Sequence, residues 1–322
     1  MANRKTFRDI KGIRGALYRA GQMQMRAGFV ADGLASFLRF RLNRNGARPS
    51  ITAVVVGRND DYMADFRERL HATIEWNTRY LIDHVIFVEW NPPPDRELLA
   101  IELAEKFKTL RAYVVPPEIH RAINRNPNLQ LLEYHAKNVG IRRAGTPWIM
   151  PTNADAALGL NLVNTILGAR LEPNVVWTAE RIDIKWDENR QQHIGLAGSL
   201  RYHRFIPYDP MGTGEFSLAA RELWQSSRGY DESLVRHKIG CDVRGIAQIL
   251  AHGARLKKAG TVLHLQHPTS CVEGIRAFHG ERATVEGVPY HNDENWGLGN
   301  AREIELADRV WRLELQGQGG AG

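Results

Sequence analysis

Two short stretches carry the side chains best suited to chemistry. Asn153-Ala154-Asp155 follows the apolar run Trp148-Ile149-Met150 directly, so a carboxylate emerges where a buried strand ends. His264-Leu265-Gln266-His267 closes a second strand-like run that begins at Thr261. Carboxylate oxygen and imidazole nitrogen are both ligands for divalent cations. Residues three apart on a strand point to opposite faces, so His264 and His267 can share one ion only if the strand ends between them. The plainer readings are an Asp155 that caps a helix starting near Ala156 and a histidine that is merely hydrogen-bonded at a strand end.

Further acids follow at glycine-marked turns. Gly214-Glu215-Phe216 sends a carboxylate into a strand, after the glycine-containing stretch Met211-Gly212-Thr213. Gly229-Tyr230-Asp231-Glu232 and Gly240-Cys241-Asp242 place three more carboxylates within twelve residues. Asp242 opens a helix, where the helix dipole favours its ionised form. An ionised carboxylate beside a bound hydroxyl can serve as general base; helix capping is the alternative. The chain contains no G-x-S-x-G, no G-x-x-x-x-G-K-[ST], no H-E-x-x-H and no G-x-G-x-x-G after the first strand. Serine hydrolase, P-loop nucleotidase, zincin and dinucleotide oxidoreductase chemistries therefore lose their main support.

The elements that must position these residues alternate. Strands are expected at Ile51–Val56, His84–Trp90, Arg111–Val115, Trp148–Met150, Val175–Ile184, Glu215–Ala219 and Thr261–Gln266. Helices are expected around Phe66, Leu70 and Ile74, then at Leu98–Phe107, Leu129–Ala144, Arg221–Ser227 and Val243–His252. This alternation predicts a parallel sheet with helical crossovers, in which ligands bind at the carboxyl ends of strands. The loops beginning at Gly57, Asn91 and Pro151 should then share one rim. Residues 185–214 read as a long functional loop or an inserted hairpin.

With 322 residues, 43% of them hydrophobic, the chain can form one large α/β domain or two smaller ones, and no linker divides it. Two cysteines, Cys241 and Cys271, do not make a disulfide scaffold. The absence of a continuous apolar stretch near the start, or of any run of about 20 apolar residues, points to a cytoplasmic protein, soluble or peripheral at the inner face of a membrane. Charge is unevenly placed. Residues 1–49 hold eleven basic residues and two acids, a net +9, so within the overall +7 the remainder is −2. That near-neutral body, without a nucleic-acid motif, argues against a nucleic-acid partner. Residues 1–48 read as a basic arm of one or two amphipathic helices containing Leu17, Met23, Met25, Phe29, Val30, Leu34, Phe37, Leu38 and Phe40. It suits packing on the main domain, a homo-oligomer contact or an anionic lipid surface.

The order of these pieces resembles the GT-A-fold glycosyltransferases of the family 2-like group, with a galactosyltransferase/N-acetylgalactosaminyltransferase-like C-terminal half. The resemblance rests on Ile51–Val56 running into Gly57-Arg58-Asn59-Asp60, on Lys137-Asn138-Val139-Gly140-Ile141 with Asn153-Ala154-Asp155 at the D-x-D position, and on Gly214-Glu215-Phe216, Gly229-Tyr230-Asp231-Glu232, Asp242 and His264. It covers roughly residues 50–268. It implies a Rossmann-like, mostly parallel central sheet flanked by helices, preceded here by the helical arm. The implied boundaries are 1–48 for the arm, 49–280 for the transferase domain and 281–322 for a C-terminal tail with a helix packed on the domain. Within that tail Asn292-Asp293-Glu294-Asn295-Trp296-Gly297 resembles an element that closes over the site.

The resemblance implies transfer of a sugar from a UDP- or GDP-linked donor to a hydroxyl of a glycan or lipid-linked acceptor, as in polysaccharide biosynthesis. It implies a Mn²⁺ or Mg²⁺ site at Asp155, His264 and His267. Gly57, Arg58, Asn59, Asp60, Trp90, Lys137, Asn138, Asn153, Ala154 and Asp155 would bind the donor, with Asp60 on the nucleobase, Trp90 stacked on it, and Arg58 or Lys137 neutralising the diphosphate. Asp242 would be the base of an inverting displacement, with Glu215 and Asp231 next in line. Two positions depart from the family pattern: Asn153 replaces the first D-x-D acid, and Cys241-Asp242 replaces a Glu-Asp pair. The first departure leaves a non-catalytic scaffold of the same fold as an alternative. Retention of configuration is a second.

Overall fold

The computed structural model describes residues 13–42, 48–60, 62–63, 65–186, 204–205, 211, 214–267 and 283–315. In chain order the elements are α1 (Ile13–Leu42), β1 (Ile51–Gly57), α2 (Phe66–Tyr80), β2 (His84–Trp90), α3 (Leu99–Lys106), β3 (Leu110–Val115), α4 (Pro117–Ile123), α5 (Glu133–Arg143), β4 (Trp148–Asn153), β5 (Ala156–Leu158) and α6 (Leu160–Gly168). They continue with β6 (Val175–Lys185), β7 (Arg204–Phe205), β8 (Ser217–Ala220), α7 (Arg221–Ser227), α8 (Cys241–Ala251), β9 (Arg255–Gln266), β10 (Ala301–Ala307) and β11 (Val310–Leu315).

These strands join in the order β10-β11-β3-β2-β1-β4-β8-β6-β9-β5, with β7 beside β6. The run β11-β3-β2-β1-β4 is parallel throughout. On the far side β8 pairs antiparallel with both β4 and β6, β6 and β9 are parallel, and β5 is antiparallel to β9. The fold is thus the α/β class expected, with a parallel centre and a mixed flank.

Strand alternation sorts the core into two layers. Ile51, Ala53 and Val55 of β1 face Leu70 and Ile74 of α2, Leu103 of α3 and Ile166 of α6. Val54 and Val56 face Val139 of α5, Trp224 of α7 and Ile249 of α8. A third cluster seats Phe29 of α1 on Ala157, Ile182, Ile184, Leu263 and Leu265, the back of the strands that carry the chemistry. Among the described residues no helix is long and apolar enough to cross a membrane.

Several expectations change. No helix starts at Ala156: the chain turns at Ala154-Asp155 and returns as β5, which removes the capping role for Asp155. The last core strand begins at Arg255, not Thr261. The described part of the tail is not helical: β10 and β11 form an antiparallel pair, and β11 extends the sheet beside β3. The apolar–polar alternation Trp311-Arg312-Leu313-Glu314-Leu315 fits a strand with one buried face, where Leu313 packs fully buried. Most of 185–214 lies outside the described residues, as does Cys271.

Candidate active site

The turn that presents Asp155 is held from behind by α2. Thr73 donates to the Ala154 carbonyl (2.6 Å), Asn77 donates to the Ala156 carbonyl (3.0 Å), and the Leu158 amide donates to Asn77 (2.9 Å). These bonds clamp the backbone on both sides of the carboxylate. The antiparallel β5–β9 register then sets Ala156 opposite His264, and the Leu265 amide donates to the Asp155 carbonyl (2.9 Å). Strand β9 ends at Gln266, so His267 is free of the pleat and turns to the same side as His264. Asp155 Oδ2 lies 2.9 Å from His267 Nε2 and 3.3 Å from His264 Nε2. One ligand atom from each of the three residues fits within 4.8 Å of the others.

A second layer orients this trio. His264 Nδ1 lies 3.1 Å from Asp183 Oδ1 and 2.9 Å from Arg181 Nη2. Protonated on both nitrogens, the ring donates from Nδ1 to Asp183 and from Nε2 toward Asp155; loss of the Nε2 proton would leave that nitrogen to a cation while Asp183 still orients the ring. Arg181 also donates to Asp183 (2.7 Å) and to Glu215. Burial opposes charge on Asp155, yet hydrogen bonds from both imidazoles hold its carboxyl far below the ordinary range. Burial likewise opposes charge on His264, but its bonds to Asp155 and Asp183 prevail and raise it to about 9. A carboxylate fixed in its anionic form beside two imidazoles, one backed by a carboxylate, is a donor set that fits a divalent cation.

The trio opens into a cavity of about 480 Å³. Asp242 stands in the same wall, in the first turn of α8. Gly240 makes that turn possible: its φ of +82° is left-handed, and a Cβ there would come within 2.6 Å of the Ala283 carbonyl. Burial, reinforced by the charges of Glu133 and Glu215, pushes Asp242 above the ordinary aspartate range, against the Val243 amide that favours its anion. Glu133, at the start of α5, accepts from Lys137 and Lys238, both at 2.9 Å. Burial opposes its charge, but the two ammonium groups lower it to about 2.

Of the residues expected from sequence, Arg58, Asn153, Ala154, Asp155, Glu215, Asp242, His264 and His267 line the cavity. Gly57, Asn59 and Asp60 stand beside it. A Cβ on Gly57 would meet Phe66 at 2.9 Å, Asn59 donates to the Glu97 carbonyl (2.8 Å), and Asp60 pairs with Arg58 at 2.9 Å.

Other expectations are corrected. Trp90 is fully buried and donates its indole N–H to His120 (2.8 Å), so it has no face to offer a base. Lys137 is fully buried; its ammonium is used by Glu133, by Asn153 Oδ1 (2.8 Å) and by the Gly214 carbonyl (2.8 Å). It therefore braces the D-x-D position instead of meeting a donor. Asn138 is buried against the Tyr230 carbonyl (2.8 Å) and Glu232 (2.9 Å). Asp231 is buried, pairs with Arg244 and caps Ser233. Residues 292–297 do not close over the cavity; Asn292 and the Gly297 amide instead brace the Tyr230-Asp231-Glu232 turn.

Sequence reasoning missed Arg181, Asp183, Tyr62, Tyr134, Glu133 and Lys238, all in or behind the cavity wall. A signal existed for the first two. Arg181 and Asp183 alternate with Ile182 and Ile184, so a strand apolar on one face carries ion-pairing groups on the other.

No known family matches the chain by sequence, and no curated protein matches it. Among solved structures it is similar to GalNAc-T7 determined with UDP, GalNAc and Mn²⁺, at 13% identity and a TM-score of 0.47, over 69% of this chain and 44% of that one. The chain thus spans under half of that protein's length. It is also similar to the mannosyltransferase PcManGT of Pyrobaculum calidifontis determined with GDP-Man and Mn²⁺, at 16% identity and a TM-score of 0.43, over 81% of this chain and 71% of that one.

Proposed function

We propose that the protein is a metal-dependent GT-A glycosyltransferase that moves a sugar from a nucleoside-diphosphate donor to a hydroxyl of a glycan or lipid-linked acceptor. The observation that carries this reading is the convergence of Asp155, His264 and His267, with Asp183 behind His264, on a cavity that also holds Asp242. Its support from sequence is the ordered resemblance across residues 50–268.

Asp155, His264 and His267 would hold the cation, and two imidazole nitrogens suit Mn²⁺ better than Mg²⁺, which takes oxygen ligands. When bound, it neutralises charge on a departing diphosphate. Arg58 and Lys238, both in the wall, add positive charge on the donor side. Asp242 takes the proton of the acceptor hydroxyl as that oxygen bonds to the anomeric carbon. The bond from that carbon to the phosphate oxygen breaks, and the nucleoside diphosphate leaves with the electron pair. This is a single displacement with inversion.

The test is turnover of a panel of UDP- and GDP-sugars by the metal-stripped chain, with and without added Mn²⁺, followed by NMR of the product anomer. Mn²⁺-dependent turnover of one donor with inversion is expected. Retention would remove Asp242 as base, and neither turnover nor binding heat for any donor would favour the non-catalytic scaffold.

A further inference from the structure

Helix α1 has two apolar faces, and among the described residues the fold uses only one. Its inner face lies along α6 and buries Phe29, with Met25 beside it, over β5, β6 and β9. On the opposite face Ala16, Ala20, Met23, Ala27, Ala31, Leu34, Leu38 and Leu42 follow one another at spacings of three and four, all exposed. Leu34 is 63% exposed, Leu38 59% and Leu42 84%; Leu17 and Phe37 widen the stripe. From Ala16 to Leu42 the stripe runs for about 40 Å along the helix. Continuous apolar surface of that extent is unusual on a protein with nothing to cover it.

The charges choose the occupant. Arg19 and Arg26, both exposed, border the stripe on one side, and Arg41 lies over the Phe37 ring, 5.8 Å from its centroid. The helix has one acid, Asp32, and it is engaged by Lys258 of β9 at 3.1 Å. A second copy docked on this stripe would bring arginine against arginine with no carboxylate to pair them. An anionic bilayer meets both features, taking the leucines and Phe37 into the acyl boundary while the guanidinium groups reach phosphate. We infer that the outer face of α1 is a docking surface for a membrane rich in anionic lipid, with the helix lying in the plane of the interface. It does not depend on the chemistry assigned to the cavity, so the two can fail separately.

The experiment is flotation of the full chain with vesicles of phosphatidylcholine alone and of phosphatidylcholine with one third phosphatidylglycerol. Binding to the anionic vesicles, and at least about tenfold less to the neutral ones, is expected, falling steeply with added salt. Leu34→Glu with Leu38→Glu should abolish it while leaving the melting temperature and donor turnover unchanged, since neither side chain enters the core. Arg19→Gln with Arg26→Gln should weaken it without disturbing the stripe. Equal flotation of the leucine variant, or no flotation of the unmodified chain, would overturn the inference. So would a dimer in sedimentation that the leucine variant splits, because a second copy would then cover the face.

Discussion

Two acid-bearing regions flank the same sheet, and they do opposite things with their carboxylates. On the β5–β6–β9 side, Asp155 and Glu215 face the cavity, and the atoms that contact them are imidazole and guanidinium groups in its wall. On the α5–α7 side, Asp231 and Glu232 are closed in by Arg244, Asn138, Ser233 and the Gly297 amide. Burial raises Glu232 to about 7, so at neutral pH part of it is protonated, as suits a carboxyl sealed from water. The motif Gly229-Tyr230-Asp231-Glu232 looks as chemical as Asn153-Ala154-Asp155 on paper. What separates them is whether the partners leave an atom facing solvent-accessible space. Asp242 lies between the two regions, on the α8 side but in the cavity wall.

The contrast can be broken by substitution. Asp242→Asn should lower kcat/KM by about 10²–10⁴ with no change in melting temperature; a loss below about threefold would move the base to Glu215. Asp183→Asn should weaken Mn²⁺ binding about 10–100-fold, because it releases the ring it orients, and excess Mn²⁺ should restore part of the rate. Calorimetric titration of the metal reads this directly. Asp231→Asn, in the closed region, should do the reverse: about 1–3 kcal/mol less stability in denaturant unfolding, with turnover per folded molecule within about twofold of the parent. If Asp231→Asn instead abolished turnover without loss of stability, the division between the regions would fail.

A smaller effect sharpens the cavity side. Burial places Asp242 above the usual aspartate range, so its base form is lost at a higher pH than for a free carboxyl. The acid limb of kcat/KM should therefore sit above about pH 4, with the rate rising as pH rises through it. Stability should show the opposite sign of shift at Glu133. Its folded value of about 2 is below the unfolded one, so its ion pairs contribute fully above about pH 4.5 and are lost as pH falls toward 2. A pH–rate profile and acid unfolding followed by circular dichroism separate the two.

Much of this could be read from residue order. Val54-Val55-Val56 and Val85-Ile86-Phe87-Val88 are short, bounded and β-branched, and strands of that kind declare themselves. The pairing of Asp155 with the distant histidines was implied by the resemblance, not by local pattern. It required β9 to stop before His267, which Pro268 just beyond makes natural. What sequence did not show was saturation. Lys137, Asn138, Trp90 and Asp231 have the right types for ligand contact, but each also meets at least one partner through a tertiary contact 13 to 94 residues away. Such contacts leave no local periodicity. Residues 301–315 show the same limit: alternating Ile, Leu and Val among charges suit a strand, but the edge of β3 that receives them lies far earlier in the chain.

The central claim is that Asp155, His264 and His267 share one divalent cation. Anomalous diffraction at the manganese edge from crystals soaked in MnCl₂ tests it most directly. A single strong peak within bonding distance of Asp155 Oδ2 and the Nε2 atoms of both histidines, absent in crystals of Asp155→Asn, is the predicted result. A peak elsewhere, or none between these three residues at saturating Mn²⁺, would contradict it.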